Sequence, residues 1–209
     1  MLGASDRKQL IGRLPARGVV AEIGVQQGAF ARAILRRASP SKLHLIDCWE
    51  QRSSEASRLD PSNVADDRQQ RNYQKTADRM ARGIRRGIVE LHRGYSQQVL
   101  ETFPDAYFDW VYIDADHSFE AVTADLEACL PKVKPGGVIA GHDYIDSPHW
   151  RAMNFGVVPA VDAFCRRHGW EILCVTREPG YDRGRGNPSY ALREAGHSPF
   201  RPRRWWRSR

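Results

Sequence analysis

Lysine is scarce in this sequence: it supplies only five of the 32 basic residues, at positions 8, 42, 75, 132 and 134, and arginine supplies the rest. Cysteine is scarce too. Cys48, Cys129, Cys165 and Cys174 form no C-x-x-C pair and no zinc-finger spacing, which excludes a zinc ribbon and argues against a disulfide framework. No apolar run nears the roughly 18 residues of a membrane-spanning helix. The stretch Met1–Lys8 lacks the apolar segment of a signal peptide. These absences lead to the expectation of a cytoplasmic protein with no membrane partner.

What is present suits a globular domain. The 209 residues are 41% hydrophobic and 27% charged, an ordinary composition for a folded chain of one domain. A chain of this size buries about 70% of its unfolded surface and needs no crosslinks. The net charge of +7 is unevenly spread. Residues 195–209 carry five arginines (201, 203, 204, 207 and 209) and no acid, which leaves +2 for residues 1–194. We expect one domain over 1–194, with a helix over 5–14, and a flexible basic Arg/Trp tail over 195–209.

Short apolar runs alternate with helical patterns, the signature of an α/β sheet with parallel strands. Strands are expected at 19–23, 43–47, 88–92, 108–114, 138–141, 171–177 and 189–193. Helices are expected at 29–38, 66–82, 96–102, 119–130 and 158–168, and Pro135-Gly136-Gly137 reads as a turn. Segments 48–65 and 144–156 read as irregular loops. Loops this long in a compact domain are often functional, so substrate choice is expected there, with Tyr144, Trp150 and Phe155 as candidates.

In an open α/β sheet, ligands bind beyond the carboxyl ends of the strands. Those ends carry Glu22-Ile23-Gly24-Val25-Gln26-Gln27-Gly28, Asp47, Gly94-Tyr95-Ser96, Asp114-Ala115-Asp116-His117 and Gly141-His142-Asp143-Tyr144. The first turn, E-x-G-x-x-x-G, is not the pyrophosphate fingerprint G-x-G-x-x-G, and Glu22 disfavours a phosphate there. A ligand with a cationic or zwitterionic end suits it better. Asp47 is placed to hold both hydroxyls of a ribose, and Trp49 is a candidate cover for an adenine or the site mouth. Asp114 and Asp143 end neighbouring strands, so their carboxylates can converge on a hard divalent cation such as Mg²⁺. A ligating His142 would shift the preference toward Mn²⁺, Fe²⁺ or Zn²⁺. His117 is the candidate general base, because imidazole titrates near neutrality. Asp116 either orients it or serves as base itself.

These strings, with His44-Leu45-Ile46-Asp47-Cys48-Trp49 and Leu130-Pro131-Lys132-Val133-Lys134-Pro135-Gly136-Gly137, resemble class I S-adenosylmethionine-dependent methyltransferases. The likeness is greatest to the bacterial methyltransferase 24 group and extends to metal-dependent sugar and catechol O-methyltransferases. It covers roughly residues 17–193. It implies a Rossmann-like α/β fold with a seven-stranded sheet in the order 3-2-1-4-5-7-6 and the last strand antiparallel. It also implies S-adenosyl-L-methionine as cofactor, with Glu22, Gly24 and Gly28 along its methionine part, Asp47 on the ribose and Ser96 near the adenine. Asp114 would orient the cofactor or join a metal set of Asp114, His142 and Asp143, for Mg²⁺ or Mn²⁺. The implied activity is methyl transfer to a hydroxyl of a sugar, polyol or natural product, and a homodimer accords with the relatives. The readings left open are a hydroxylase-type or other non-methylating enzyme on the same fold, and a nucleic-acid-associated protein binding through its tail. The near-neutral body argues against the latter.

Overall fold

The computed structural model describes residues 3–53, 63–178 and 186–196. The elements follow in chain order as α1 (Arg7–Ile11), β1 (Val19–Ile23), α2 (Ala29–Arg37), β2 (Lys42–Asp47), α3 (Asp66–Arg85), β3 (Val89–Arg93), α4 (Ser96–Glu101), β4 (Phe108–Ile113), α5 (Phe119–Cys129), β5 (Val133–Gly141), α6 (Pro148–Ala152), α7 (Val157–His168), β6 (Trp170–Val175) and β7 (Tyr190–Glu194). The basic tail expected to be flexible falls outside the described residues from 197 onward, as does the middle of the 48–65 loop. No helix among the described residues is long and apolar enough to cross a membrane.

The strands form one sheet in the order β3-β2-β1-β4-β5-β7-β6, as expected. The first five are mutually parallel, and β7 runs antiparallel to both β5 and β6. Two apolar layers flank it. On one face Leu10, Ile11, Phe30, Ile34 and Met80 from α1, α2 and α3 pack on Val20, Leu43 and Trp110. On the other, Leu100, Val122, Leu126, Val161 and Phe164 from α4, α5 and α7 cover Ile23, Ile46 and Val111. Burying these side chains drives the assembly, each contributing about 1.5–3 kcal/mol.

The registers align the central strand ends. Ile23 of β1 pairs with Ile46 of β2 and Ile113 of β4, and Ile113 pairs with Gly141 of β5. The residues after those positions therefore emerge at one level, on either side of the gap between β1 and β4 where the strand order reverses.

Three local expectations are corrected. Pro135-Gly136-Gly137 lies inside β5, because the strand absorbs it as an irregularity between the pairs Phe108–Val133 and Trp110–Val138. The 144–156 loop contains the short helix α6, which starts after Ser147 with Pro148 at its first turn, where a missing N–H costs nothing. The N-terminal helix is only Arg7–Ile11, capped by Asp6, whose carboxylate accepts from the Gln9 amide at 2.8 Å.

Candidate active site

Beyond the aligned strand ends lies a cleft of about 510 Å³, within the roughly 300–1,000 Å³ typical of small-molecule sites. Its walls come from the turn after β1, the residues after β2, β3, β4 and β5, and Arg7 of α1.

The turn after β1 is shaped by Gly24 and Asp47. Gly24 has φ +84°, and a Cβ there would sit 2.0 Å from the Asp114 carbonyl oxygen, so only glycine fits. Asp47 Oδ2 accepts from the Val25 and Gln26 amides, each at 2.8 Å, and its Oδ1 accepts from the Trp49 amide at 2.9 Å. The predicted ribose acid thus lines the cleft and also holds the glycine turn in shape. Gly28 caps α2 with φ +70° and faces Thr76 of α3, outside the cleft lining. Trp49 is displaced further from its expected role. It is fully buried, packs edge-on against Tyr73 at 5.0 Å and donates to the Gln26 carbonyl, so it braces the turn rather than covering a ligand.

Glu22 projects from β1 into the cleft at 1% exposure, and its Oε2 has no hydrogen-bond partner. Burial, with added repulsion from Asp114 and Asp47 that Arg7 only partly offsets, pushes its carboxyl well above the usual range. An uncompensated buried carboxyl is costly. It calls for a donor or cation in the cleft, as the amino group of an amino-acid ligand would supply.

At the opposite wall Ser96 and Gln97 both donate to Asp125 Oδ1. Burial raises the Asp125 carboxyl to about 7, the Ser96 hydrogen bond and Arg52 opposing and Asp116 adding to the effect. Asp125 was not anticipated, yet it carries a sequence signal: an acid on the buried stripe of α5 among Val122, Leu126 and Cys129. Glu50, which accepts from the Tyr95 hydroxyl, and Arg7 also line the cleft unannounced. Arg7 reaches Asp114 Oδ2 at 3.1 Å and lies 4.6 Å over the Phe30 ring. A partner 107 residues away leaves no local trace in sequence.

The second constellation converges. His142 Nδ1 lies 3.5 Å from Asp114 Oδ1 and 3.1 Å from Asp143 Oδ2. His117 Nε2 lies 2.8 Å from Asp143 Oδ2 and 3.9 Å from Asp114 Oδ1, yet it has no hydrogen-bond partner, so it is not aligned with either oxygen. Burial pulls the His117 pKa down, but the two carboxylates outweigh it and push it up to about 10. His142 shifts up for the same reason, against Arg7. Burial would raise Asp143, but the two imidazoles hold it well below the carboxylate range. Asp143 also accepts from Asn187 Nδ2 at 2.5 Å. Asp116 takes a different part: its Oδ2 pairs with Arg52 at 2.5 Å and its Oδ1 accepts from the Ser118 amide, so both oxygens are engaged away from His117.

The His117 ring is stacked flat on Phe155, centroids 4.6 Å apart and planes 3° from parallel, and Trp150 packs on Phe155 at 4.6 Å. Of the residues expected to select substrate, Phe155 thus braces the His117 ring and Trp150 braces Phe155, and neither lines the cleft. Tyr144 instead donates to Asp162 of α7 at 2.8 Å and does not line the cleft.

A methyltransferase-domain family profile matches residues 21–144, more than half of the chain. The chain belongs to the methyltransferase 24 family. It is an S-adenosylmethionine-dependent methyltransferase. Solved structures share its fold at low identity. Precorrin-6y C5,15-methyltransferase from Geobacter metallireducens GS-15 is 16% identical with a TM-score of 0.56, covering 90% of this chain and 85% of its own. An O-methyltransferase family protein from Burkholderia thailandensis is 16% identical with a TM-score of 0.59, covering 90% of this chain and 55% of its own. A B. subtilis tRNA methyltransferase is 12% identical with a TM-score of 0.57, covering 94% and 68%. No curated protein matches by sequence. For this methyltransferase the orphaned Glu22 carboxyl in the cleft fits the cofactor's amino-acid end.

Proposed function

We propose that this methyltransferase transfers its methyl group to a hydroxyl of a small molecule, and that it uses a divalent cation. The observation that carries the reading is the convergence of Asp114, His142, Asp143 and the unaligned His117 nitrogen on one point of the cleft. Ligands around an ion with bonds of about 2.0–2.2 Å stand roughly 3–3.5 Å apart; His142 Nδ1 stands 3.5 Å from Asp114 Oδ1 and 3.1 Å from Asp143 Oδ2, and Asp114, His117 and Asp143 each bring a ligand atom within 4.8 Å of the others. These three residues would hold the cation, and it would supply Lewis acidity to a bound hydroxyl. The bound cofactor supplies an activated sulfonium methyl.

The protein's own work is positioning and proton handling. Phe155, stacked flat on the His117 ring and backed by Trp150, fixes the plane of the imidazole, as a near-attack geometry of about 3–3.5 Å requires. With both carboxylates turned to His117, its ring keeps a proton at neutral pH. A cation held by Asp114, His142 and Asp143 would draw their charge away from the ring, and His117 Nε2 would then be the atom to accept the hydroxyl proton. Asp116, occupied by Arg52 and the Ser118 amide, positions this loop.

The test is methyl transfer to a panel of sugars, polyols and catechols by chelator-treated enzyme, with and without Mg²⁺ or Mn²⁺. Turnover that requires the added ion and falls about 10²–10⁴-fold in His117→Ala, with ion affinity kept, supports both roles. Equal turnover after chelation overturns the cation. Loss of ion affinity in His117→Ala makes His117 a ligand and removes it as base.

A further inference from the structure

A second cluster of metal-ligating side chains lies away from the cleft, on the sheet between β2 and β3. The parallel register pairs His44 with Glu90 and sets His92 two residues further along the same face. His44 Nδ1 stands 2.9 Å from His92 Nε2 and 3.3 Å from Glu90 Oε2, and His92 Nε2 stands 3.8 Å from that same oxygen. We propose that His44, His92 and Glu90 form a binding site for a divalent transition ion such as Zn²⁺, separate from the methyl-transfer centre.

Three features support it. Three donors from two side-chain types point their ligand atoms at one another with separations near the 3–3.5 Å expected around a common ion. The two nitrogens select a transition ion over Mg²⁺ or Ca²⁺. The remaining ring nitrogen of His44 lies 3.2 Å from the Tyr107 hydroxyl. With that nitrogen as the donor, Nδ1 is left with its lone pair toward the site, the orienting contact that ligating histidines characteristically have.

The surroundings suit a fixed ion. Phe103, Tyr107 and Phe108 wall His44 on the protein side. Lys42 takes only Glu90 Oε1, at 2.7 Å, and leaves Oε2 for the ion. His44 is 2% exposed, but Glu90 is half-exposed and His92 partly so, which opens an entry path and a place for water as the fourth ligand. Because the site joins the edge strand β3 to β2, an occupied site would tie down the end of the sheet.

The test is a Zn²⁺ competition titration against a chromophoric chelator on the full chain. It compares the wild type, Asp143→Asn, which disables the cleft cluster, and His92→Ala and Glu90→Gln each made in the Asp143→Asn background. We expect Asp143→Asn to retain one equivalent, His92→Ala to weaken it by on the order of a hundredfold and Glu90→Gln by at least about tenfold. Imidazole ¹⁵N shifts of His44 Nδ1 and His92 Nε2 should move on adding Zn²⁺. Circular dichroism and the thermal midpoint report whether each variant is folded, and the exposed Glu90→Gln decides if His92→Ala is not. No Zn²⁺ binding to Asp143→Asn, or affinity in both edge variants unchanged from Asp143→Asn, overturns the site.

Discussion

Two histidine pairs in this molecule sit beside carboxylates and shift in opposite directions. In the cleft, His117 and His142 share Asp114 and Asp143, and His117 rises to about 10. At the β2–β3 edge, His44 falls to about 4 and His92 falls with it. Burial lowers all four. The difference lies in where the negative charge is aimed. The cleft has two carboxylates with oxygens within 4 Å of the imidazoles. The edge has one half-exposed carboxylate that Lys42 has already engaged, and Lys42 itself repels protons from both rings. Residue type alone therefore does not set the protonation state; the count and orientation of the neighbouring charges do.

The comparison breaks most sharply at Asp143. Asp143→Asn should keep the fold, because Asp143 has φ +58° and asparagine tolerates that conformation. It should lower methyl transfer by about a thousandfold and bring the His117 pKa down from about 10, read by imidazole NMR across pH, with S-adenosylhomocysteine affinity nearly unchanged by calorimetry. A His117 titration that does not move would separate Asp143 from the ring's proton.

A carboxyl of the same cleft without an imidazole beside it should behave in the opposite way. Asp125 titrates at about 7 in the folded chain and near 4 unfolded, so between these values the native state binds more protons than the unfolded one. Stability then falls as pH rises from about 4 to 7 and levels off above, by up to roughly 2–4 kcal/mol. Thermal midpoints of Asp125→Asn should lose that slope and exceed the wild type at pH 8. An unchanged slope would show that Asp125 does not carry it.

Glu22→Gln sharpens the same contrast from the ligand side. Removing the carboxyl that would ionise against the ligand's amino group should weaken S-adenosylhomocysteine binding by about 10–100-fold, the worth of a charge-assisted hydrogen bond, in a calorimetric titration. Equal affinity would release Glu22 from the cofactor. The smallest effect belongs to the edge. Lys42→Ala should raise the His44 and His92 pKa values toward the ordinary range, by NMR titration, and change stability by less than about 1 kcal/mol because the Lys42–Glu90 pair is partly exposed to solvent.

Much of this was legible in the chain. Periodicity located six of the seven strands within two residues and missed the first half of β5, because buried parallel strands must be apolar runs and their connections must contain turn formers. The glycine turn and the acids at the strand ends were legible for the same reason: such residues would be costly inside the sheet. Trp49 misled because an aromatic after an acid looks the same in sequence whether it meets a ligand or, as here, its indole N–H meets the Gln26 carbonyl in the core. Pro135-Gly136-Gly137 misled because turn chemistry also serves a bulge.

The sequence alone determined the alternation of strands and helices, the family, and the set Glu22, Asp47, Asp114, His117, His142 and Asp143, since local patterning and short motifs are written in neighbouring residues. Only the tertiary structure decided that Arg7 reaches Asp114, that Asp116 is turned to Arg52, that Phe155 stacks on His117, and that His44 and His92 meet across two strands. Each of those contacts joins residues from separate elements, and its energetics depend on burial and on the direction of neighbouring charges, which exist only once the chain has folded.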